Sequence, residues 1–206
     1  MKFDWNAYRP MTRVLRSLAG LAVLFASLTG AAHAVDLSKA VILVASESLA
    51  GSPYEQVVIL AAPLPQGGHL GIVVNRPTGV KLDTLFPEQA SARKVIDPVY
   101  VGGPMLSSML FAVTRKPPDG GSGYIPLMPG LVVVLDGPSV DRIIETTPND
   151  ARYFLGLTIW PPDALDEQIR SGAWEAHPVE EDGAKPVDPA KLVKWTGASG
   201  SGRTPS

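Results

Sequence analysis

Leu70-Gly71-Ile72-Val73-Val74-Asn75-Arg76-Pro77 is the stretch on which the reading of this chain turns. Four of its first five residues are apolar and three are β-branched, so it reads as a buried strand running out into a polar turn. Pro77 disfavours a helical Arg76 and pushes that residue toward an extended conformation. A second stretch has the same build: Pro98-Val99-Tyr100-Val101-Gly102-Gly103-Pro104. Two strand ends, one closing on Asn-Arg-Pro and the other on Gly-Gly-Pro, are the frame for the rest of the chain.

Working outward, short apolar runs bounded by Gly and Pro recur. Val41–Ala45 is a strand, and residues 56–61 are another. The turn Pro63-Leu64-Pro65-Gln66-Gly67-Gly68 sends the chain back as the strand 69–74, which makes an antiparallel hairpin. Residues 80–86 form at most a short helix, stopped by Pro87. Residues 98–101 and 109–114 are strands expected to pair with each other. Residues 117–123, Pro-Pro-Asp-Gly-Gly-Ser-Gly, form a surface loop. Leu131-Val132-Val133-Val134-Leu135 is apolar throughout, which predicts a strand covered on both faces. A helix over 139–146 puts Val140, Ile143 and Ile144 on one face, with Asp136 and Asp141 near its start in capping and dipole roles. A strand over 152–158 follows. A helix then runs from Trp160-Pro161-Pro162-Asp163 to about Ser171, with Leu165 and Ile169 as its buried pair and Gly172 as its stop. Trp174–Val179 is the last strand. The pattern predicts an α+β single domain, a mixed, curled sheet flanked by two or three helices.

The ends read differently. Lys2, Arg9, Arg13 and Arg16 precede the apolar run Leu18–Leu28, and Ala32-His33-Ala34 supplies small residues at a cleavage site. Residues 1–34 therefore read as a secretory signal peptide, with Met11 as an alternative start. The apolar run is short of the ~20 residues of a membrane span, so no stable membrane span is expected. The folded domain is 35–181 and the chain is expected to be periplasmic or secreted. Residues 182–206, rich in Gly, Ser, Pro and Lys, read as a disordered tail.

Charge and composition exclude several functions. Residues 1–34 hold four of the 18 basic and one of the 20 acidic residues, so the remaining chain carries a formal charge of −5. An acidic exported domain without a basic run is a poor partner for nucleic acid. The chain has no cysteine, which rules out a disulfide scaffold, a thiol nucleophile and Cys-ligated metal. Only His69 and His177 remain after the signal, so no His-only metal site is expected. No dinucleotide or P-loop fingerprint is present, and no cofactor is expected. Neither the G-x-S-x-G elbow nor the S-x-x-K motif occurs. The candidate ligand-binding residues are Asn75, Arg76, Gly102 and Gly103: a guanidinium aimed outward beside glycine backbone suits a carboxylate, a phosphate or a protein partner. Their structural alternative is a pair of tight turns. Trp160 and Trp174 are either packing residues or a stacking surface.

At these residues the chain resembles the YqgE/AlgH family, a bacterial family of largely unknown function. The matching pieces are Val44-Ala45-Ser46 with Pro53-Tyr54, Gly71-Ile72-Val73-Val74-Asn75-Arg76-Pro77, Val99-Tyr100-Val101-Gly102-Gly103-Pro104, Gly156-x-x-x-Trp160, and Leu165-x-x-x-Ile169 with Trp174. The resemblance covers about Val41 to Val179. It implies a compact domain with a strongly curled mixed sheet and helices outside, and it carries over no catalytic residues. The family is linked in name to alginate regulation. Its members are mostly cytoplasmic, whereas this chain reads as exported. Where members carry an acidic–His pair after the second strand this chain has Pro63-Leu64, and around Trp160 it has Ile159, Pro161 and Asp163.

The functional expectation is a non-enzymatic exported binding or regulatory domain with a polar groove at its strand ends. The competing readings are a hydrolase using Ser46 or an Asp, and a cytoplasmic regulator whose translation starts after residue 34.

Overall fold

The computed structural model describes residues 35–117 and 123–179. The expected signal peptide, the tail and the tip of the 117–123 loop lie outside the described residues. The elements, in chain order, are β1 (Val41–Ala45), β2 (Val58–Pro63), β3 (His69–Val73), α1 (Leu82–Leu85), β4 (Tyr100–Val101), β5 (Met105–Thr114), β6 (Tyr124–Met128), β7 (Leu131–Val134), α2 (Gly137–Thr146), β8 (Ala151–Trp160), α3 (Ala164–Arg170) and β9 (Trp174–Pro178).

One nine-stranded sheet runs β6-β7-β5-β8-β3-β2-β1-β9, with β4 attached to β8. Every pairing along the path is antiparallel, and the β4–β8 pair is parallel, so the sheet is mixed as the α+β reading required. β8 organises it. Its first half pairs with β5 on one side and with β4 on the other, and its last residues, Thr158 to Trp160, pair with β3. The sheet curls into a half-barrel that brings β6 back against β2.

Curling explains why so many strands read as unbroken apolar runs: both faces are covered. The inner face is one core, built from Ile42, Leu60, Ile72, Phe111, Leu127, Val133 and Phe154 among others. On the outer face α1 and α2 cover Ala112, Val132, Val134 and Tyr153. The outer face at the other end, Val41, Leu43, Ile59 and Trp160, lies under Leu165 of α3 and beside Trp174. The α2 stripe Val140, Ile143, Ile144 is buried as its spacing predicts, and the Asp136 carboxylate caps that helix by accepting from the Ser139 N–H at 2.9 Å.

Three local expectations are corrected and one strand is added. Residues 98–101 do not pair with 109–114. The short β4 lies parallel beside β8, because Gly102 and Gly103 carry the chain across the β8 backbone instead of turning it back. The strand read at 56–61 runs two residues later at both ends, since Gln56 adopts a positive φ of 55° in the preceding turn. α3 begins at Ala164, after an Asp163 in the left-handed region, so Pro162 stands before the helix and not in its first turn. β6 was not expected, and its Pro126 sits on a sheet edge where a missing N–H is tolerated.

Candidate functional site

The two strand-end stretches do converge. The Val73 N–H donates to the Gly102 carbonyl at 2.8 Å, the Val101 N–H to the Arg76 carbonyl at 2.8 Å, and the Thr78 N–H to the Val99 carbonyl at 2.8 Å. Pro77 and Tyr100 face each other across an isolated bridge. Asn75, Arg76, Gly102 and Gly103 therefore share one corner of the molecule.

What they do there is visible atom by atom. Asn75 Oδ1 accepts from the Val58 N–H and its Nδ2 donates to the Gln56 carbonyl, each at 2.9 Å. Arg76 donates from Nη1 to the Pro53 carbonyl at 2.8 Å and from Nη2 to the Glu55 carbonyl at 2.6 Å. Both side chains hold the 53–58 connection against the end of β3. The Gly102 N–H donates to the Leu155 carbonyl at 2.7 Å. A Cβ on Gly102 would stand 2.3 Å from the Gly156 carbonyl oxygen, and one on Gly103 would stand 2.3 Å from the Leu157 carbonyl carbon. The close approach that needs glycine here is to the backbone of β8. On the solvent side of the corner, residues 106–109 bulge out of the β5–β8 ladder, and Met105, Leu106 and Met109 are 37%, 50% and 45% exposed. Leu106 holds a positive φ of 52° at the start of that bulge.

The remaining sequence candidates are placed as follows. Ser46 Oγ donates to the Gly172 carbonyl at 2.6 Å and lies 2.7 Å from Ser48 Oγ, tying the start of a 3-10 turn to the end of α3. His69 Nε2 donates to the Leu37 carbonyl at 2.9 Å, and His177 Nε2 is 3.1 Å from a Glu175 carboxylate oxygen. Trp160 and Trp174 are buried with their rings edge to face at 6.2 Å. Gln168 Oε1 accepts from both indole N–H groups, at 3.0 and 2.8 Å. No group of three or more His, Asp or Glu side chains is placed to hold a metal ion among the described residues.

The feature that sequence reasoning missed lies at the other end of β8. A cleft of about 420 Å³ opens there, and its charged lining is Arg115, Lys116 and Arg152 against Asp97 and Asp150. Arg152 Nε is 3.2 Å from Asp97 Oδ2, and its guanidinium lies 5.9 Å from the centre of the Tyr100 ring. Thr114 Oγ1 donates to the Asp150 carbonyl at 3.1 Å, closing the floor. Arg115 and Lys116 are exposed at the rim. Beside the cleft runs an apolar groove of about 670 Å³ between the β6–β7 hairpin and a wall formed by residues 38–40, ahead of β1, and the end of β2. Arg115-Lys116 directly after an apolar strand was the signal available. Arg152 joins them only because β5 and β8 pair, with Val113 opposite Arg152.

Comparison with known proteins bears on the same fold. A family model described as AlgH-like matches residues 42–198. The chain belongs to the AlgH-like family. A UPF0301 protein of Streptomyces coelicolor is 27% identical over 137 residues, 65% of this chain and 71% of its own length. One from Anaeromyxobacter dehalogenans is 29% identical over 150 residues, 68% of this chain and 76% of the relative. Among solved structures, the AlgH protein of Pseudomonas aeruginosa superposes with a TM-score of 0.60 at 20% identity, covering 79% of this chain and 87% of that one. A protein of Corynebacterium diphtheriae superposes with a TM-score of 0.56 at 22% identity, over 71% and 78%. At these identities the structural likeness is a likeness of fold.

Proposed function

We propose that this AlgH-like chain is an exported, non-enzymatic binding domain that takes an anionic ligand. The observation that carries this reading is the cleft at the end of β8: three cationic side chains gathered in a chain whose charge outside residues 1–34 is −5. Asp97 already faces Arg152, so Arg115 and Lys116 are the cations at the rim. A guanidinium fork and an ammonium together suit a carboxylate or phosphate. The cleft volume falls in the range of small-molecule sites. Titration with phosphate and with succinate tests it. Binding is expected to weaken by about tenfold or more when Arg115→Ala and Lys116→Ala are combined, a loss of about 1.4 kcal/mol. It is expected to survive Arg76→Ala. Binding indifferent to the double variant would overturn the assignment.

Export is part of the proposal and rests on the basic, apolar and Ala-His-Ala order of residues 2–34. Intact mass of the protein recovered from fractionated cells tests it. The expected mature terminus is Val35 in the periplasmic or secreted fraction. A cytoplasmic chain started after residue 34 would restore the regulator reading.

The corner of Asn75, Arg76, Gly102 and Gly103 carries a second reading, a protein contact, favoured by the exposed Met105, Leu106 and Met109 beside it. Partner capture that Arg76→Ala or Leu106→Ser abolishes, with the fold intact, is the result that would prefer it.

A further inference from the structure

The charged cleft and the apolar groove are not separate hollows: both are lined by Arg115 and Leu131. The groove is walled by Ile125, Leu127, Met128 and Leu131 on one side and by Ala40 and Ala62 on the other. Among the described residues that line it, the charged side chains are Lys39 and Arg115, both cationic, while Asp97 and Asp150 lie in the cleft. A ligand filling both spaces would set an apolar body against the β6–β7 hairpin and an anionic end beside Arg115.

We propose that the ligand is a single-chain anionic amphiphile of the fatty-acid class, its chain along the β6–β2 groove and its carboxylate at Arg115. This rests on the anion-binding reading above and narrows it. A free amphiphile fits better than a membrane surface, because the apolar surface is concave and lies between strands. Among the described residues, the exposed cations Lys39 and Arg115 stand at the groove's rim and form no extended basic face.

The physical expectation is a dependence on both ends of the ligand. Each methylene that leaves water contributes about a fourfold gain in affinity at full burial. In a groove open on one side the gain is smaller, so dodecanoate is expected to bind at least about tenfold tighter than octanoate. The carboxylate contributes through Arg115, so 1-dodecanol is expected to bind about tenfold more weakly than dodecanoate.

The test is a calorimetric titration of the full chain with octanoate, dodecanoate and 1-dodecanol below their aggregation concentrations, repeated with Arg115→Glu. The expected result is saturable one-to-one binding of dodecanoate that the variant weakens by about tenfold or more, with dodecanol little affected. Arg115 is exposed, and an unchanged thermal midpoint confirms that the variant folds. Equal affinity for octanoate and dodecanoate would remove the chain from the proposal while leaving the anion site standing. Equal affinity for dodecanol would remove the headgroup. Adsorption to anionic phospholipid vesicles without binding of dodecanoate would replace the groove with a membrane surface. Failure of both dodecanoate and phosphate to bind would overturn this proposal together with the anion-binding reading.

Discussion

Gln168 Oε1 accepts from two indoles, Trp160 at 3.0 Å and Trp174 at 2.8 Å, and so ties α3 to the ends of β8 and β9. A neutral hydrogen bond contributes roughly 0.5–1.5 kcal/mol, so Gln168→Leu is expected to cost about 1–3 kcal/mol. The midpoint of urea unfolding, followed by tryptophan fluorescence, reads this directly; an unchanged midpoint would show that the pair is ornamental. Trp160 and Trp174 were legible as residues bracketing the last helix, open between packing and stacking, and their mutual edge-to-face contact comes from the fold. Gln168 was not, because an exposed helix residue carries no mark of what its side-chain oxygen meets in space. Tyr153 makes a different prediction. It is buried, its hydroxyl donates to the Pro148 carbonyl at 3.0 Å, and burial, assisted by the nearby Asp150 charge, holds its ionisation well above the ordinary tyrosine range. The folded state therefore keeps a proton that the unfolded chain releases near pH ~10. Stability is full below that pH and falls as pH rises past it toward the folded value. Thermal midpoints between about pH 8 and 11 are expected to decline at the alkaline end, and Tyr153→Phe is expected to flatten the decline. An alkaline decline of the same steepness in the variant would assign it to another group.

At the scale of the element, β8 is the strand that everything else must accommodate. Gly156 sits in the left-handed region at φ 73° in its middle, and a Cβ there would stand 2.3 Å from the Gly103 carbonyl oxygen. Strain and clash act together, so Gly156→Ala is expected to destabilise by several kcal/mol, of order 2–4. Gly51→Ala supplies the comparison: φ is also positive, at 74°, but the space is empty, so only the conformational cost of about 1 kcal/mol is expected. Equal losses from the two would contradict the crossing of β4's exit over β8. The apolar runs that became β1, β3 and β7 were readable because both faces of a curled sheet are covered, and the α2 stripe because its spacing is helical. β6 escaped because Pro126 breaks its run, and the partner of β4 escaped because Gly102-Gly103-Pro104 is the local signature of a turn. Whether that turn closes a hairpin or carries the chain across a third strand depends on β8, which lies some fifty residues further along the chain.

For the whole molecule, the α+β class, the mixed curled sheet and the family were legible, since they rest on the order of many short patterns. The candidate site was legible only in part. That Asn75-Arg76-Pro77 and Gly102-Gly103 close two strands of the same build was readable, but their convergence was not, because it rests on hydrogen bonds between distant strand ends. The partners of both side chains, Pro53, Glu55, Gln56 and Val58, likewise depend on a connection of irregular backbone. The cleft was not legible, because pairing of β5 with β8 is what brings Arg152 to Arg115 and Lys116. Two ends of the molecule thus compete for the role of binding site, and one measurement separates them. Backbone amide shifts of the isotopically labelled chain, recorded as dodecanoate is added, report where the ligand sits. The account predicts saturable shifts over residues 113–116, 124–131 and 149–152, with the amides of Asn75, Arg76, Gly102 and Gly103 unmoved. Shifts concentrated on those four residues, or none at either end, would contradict it.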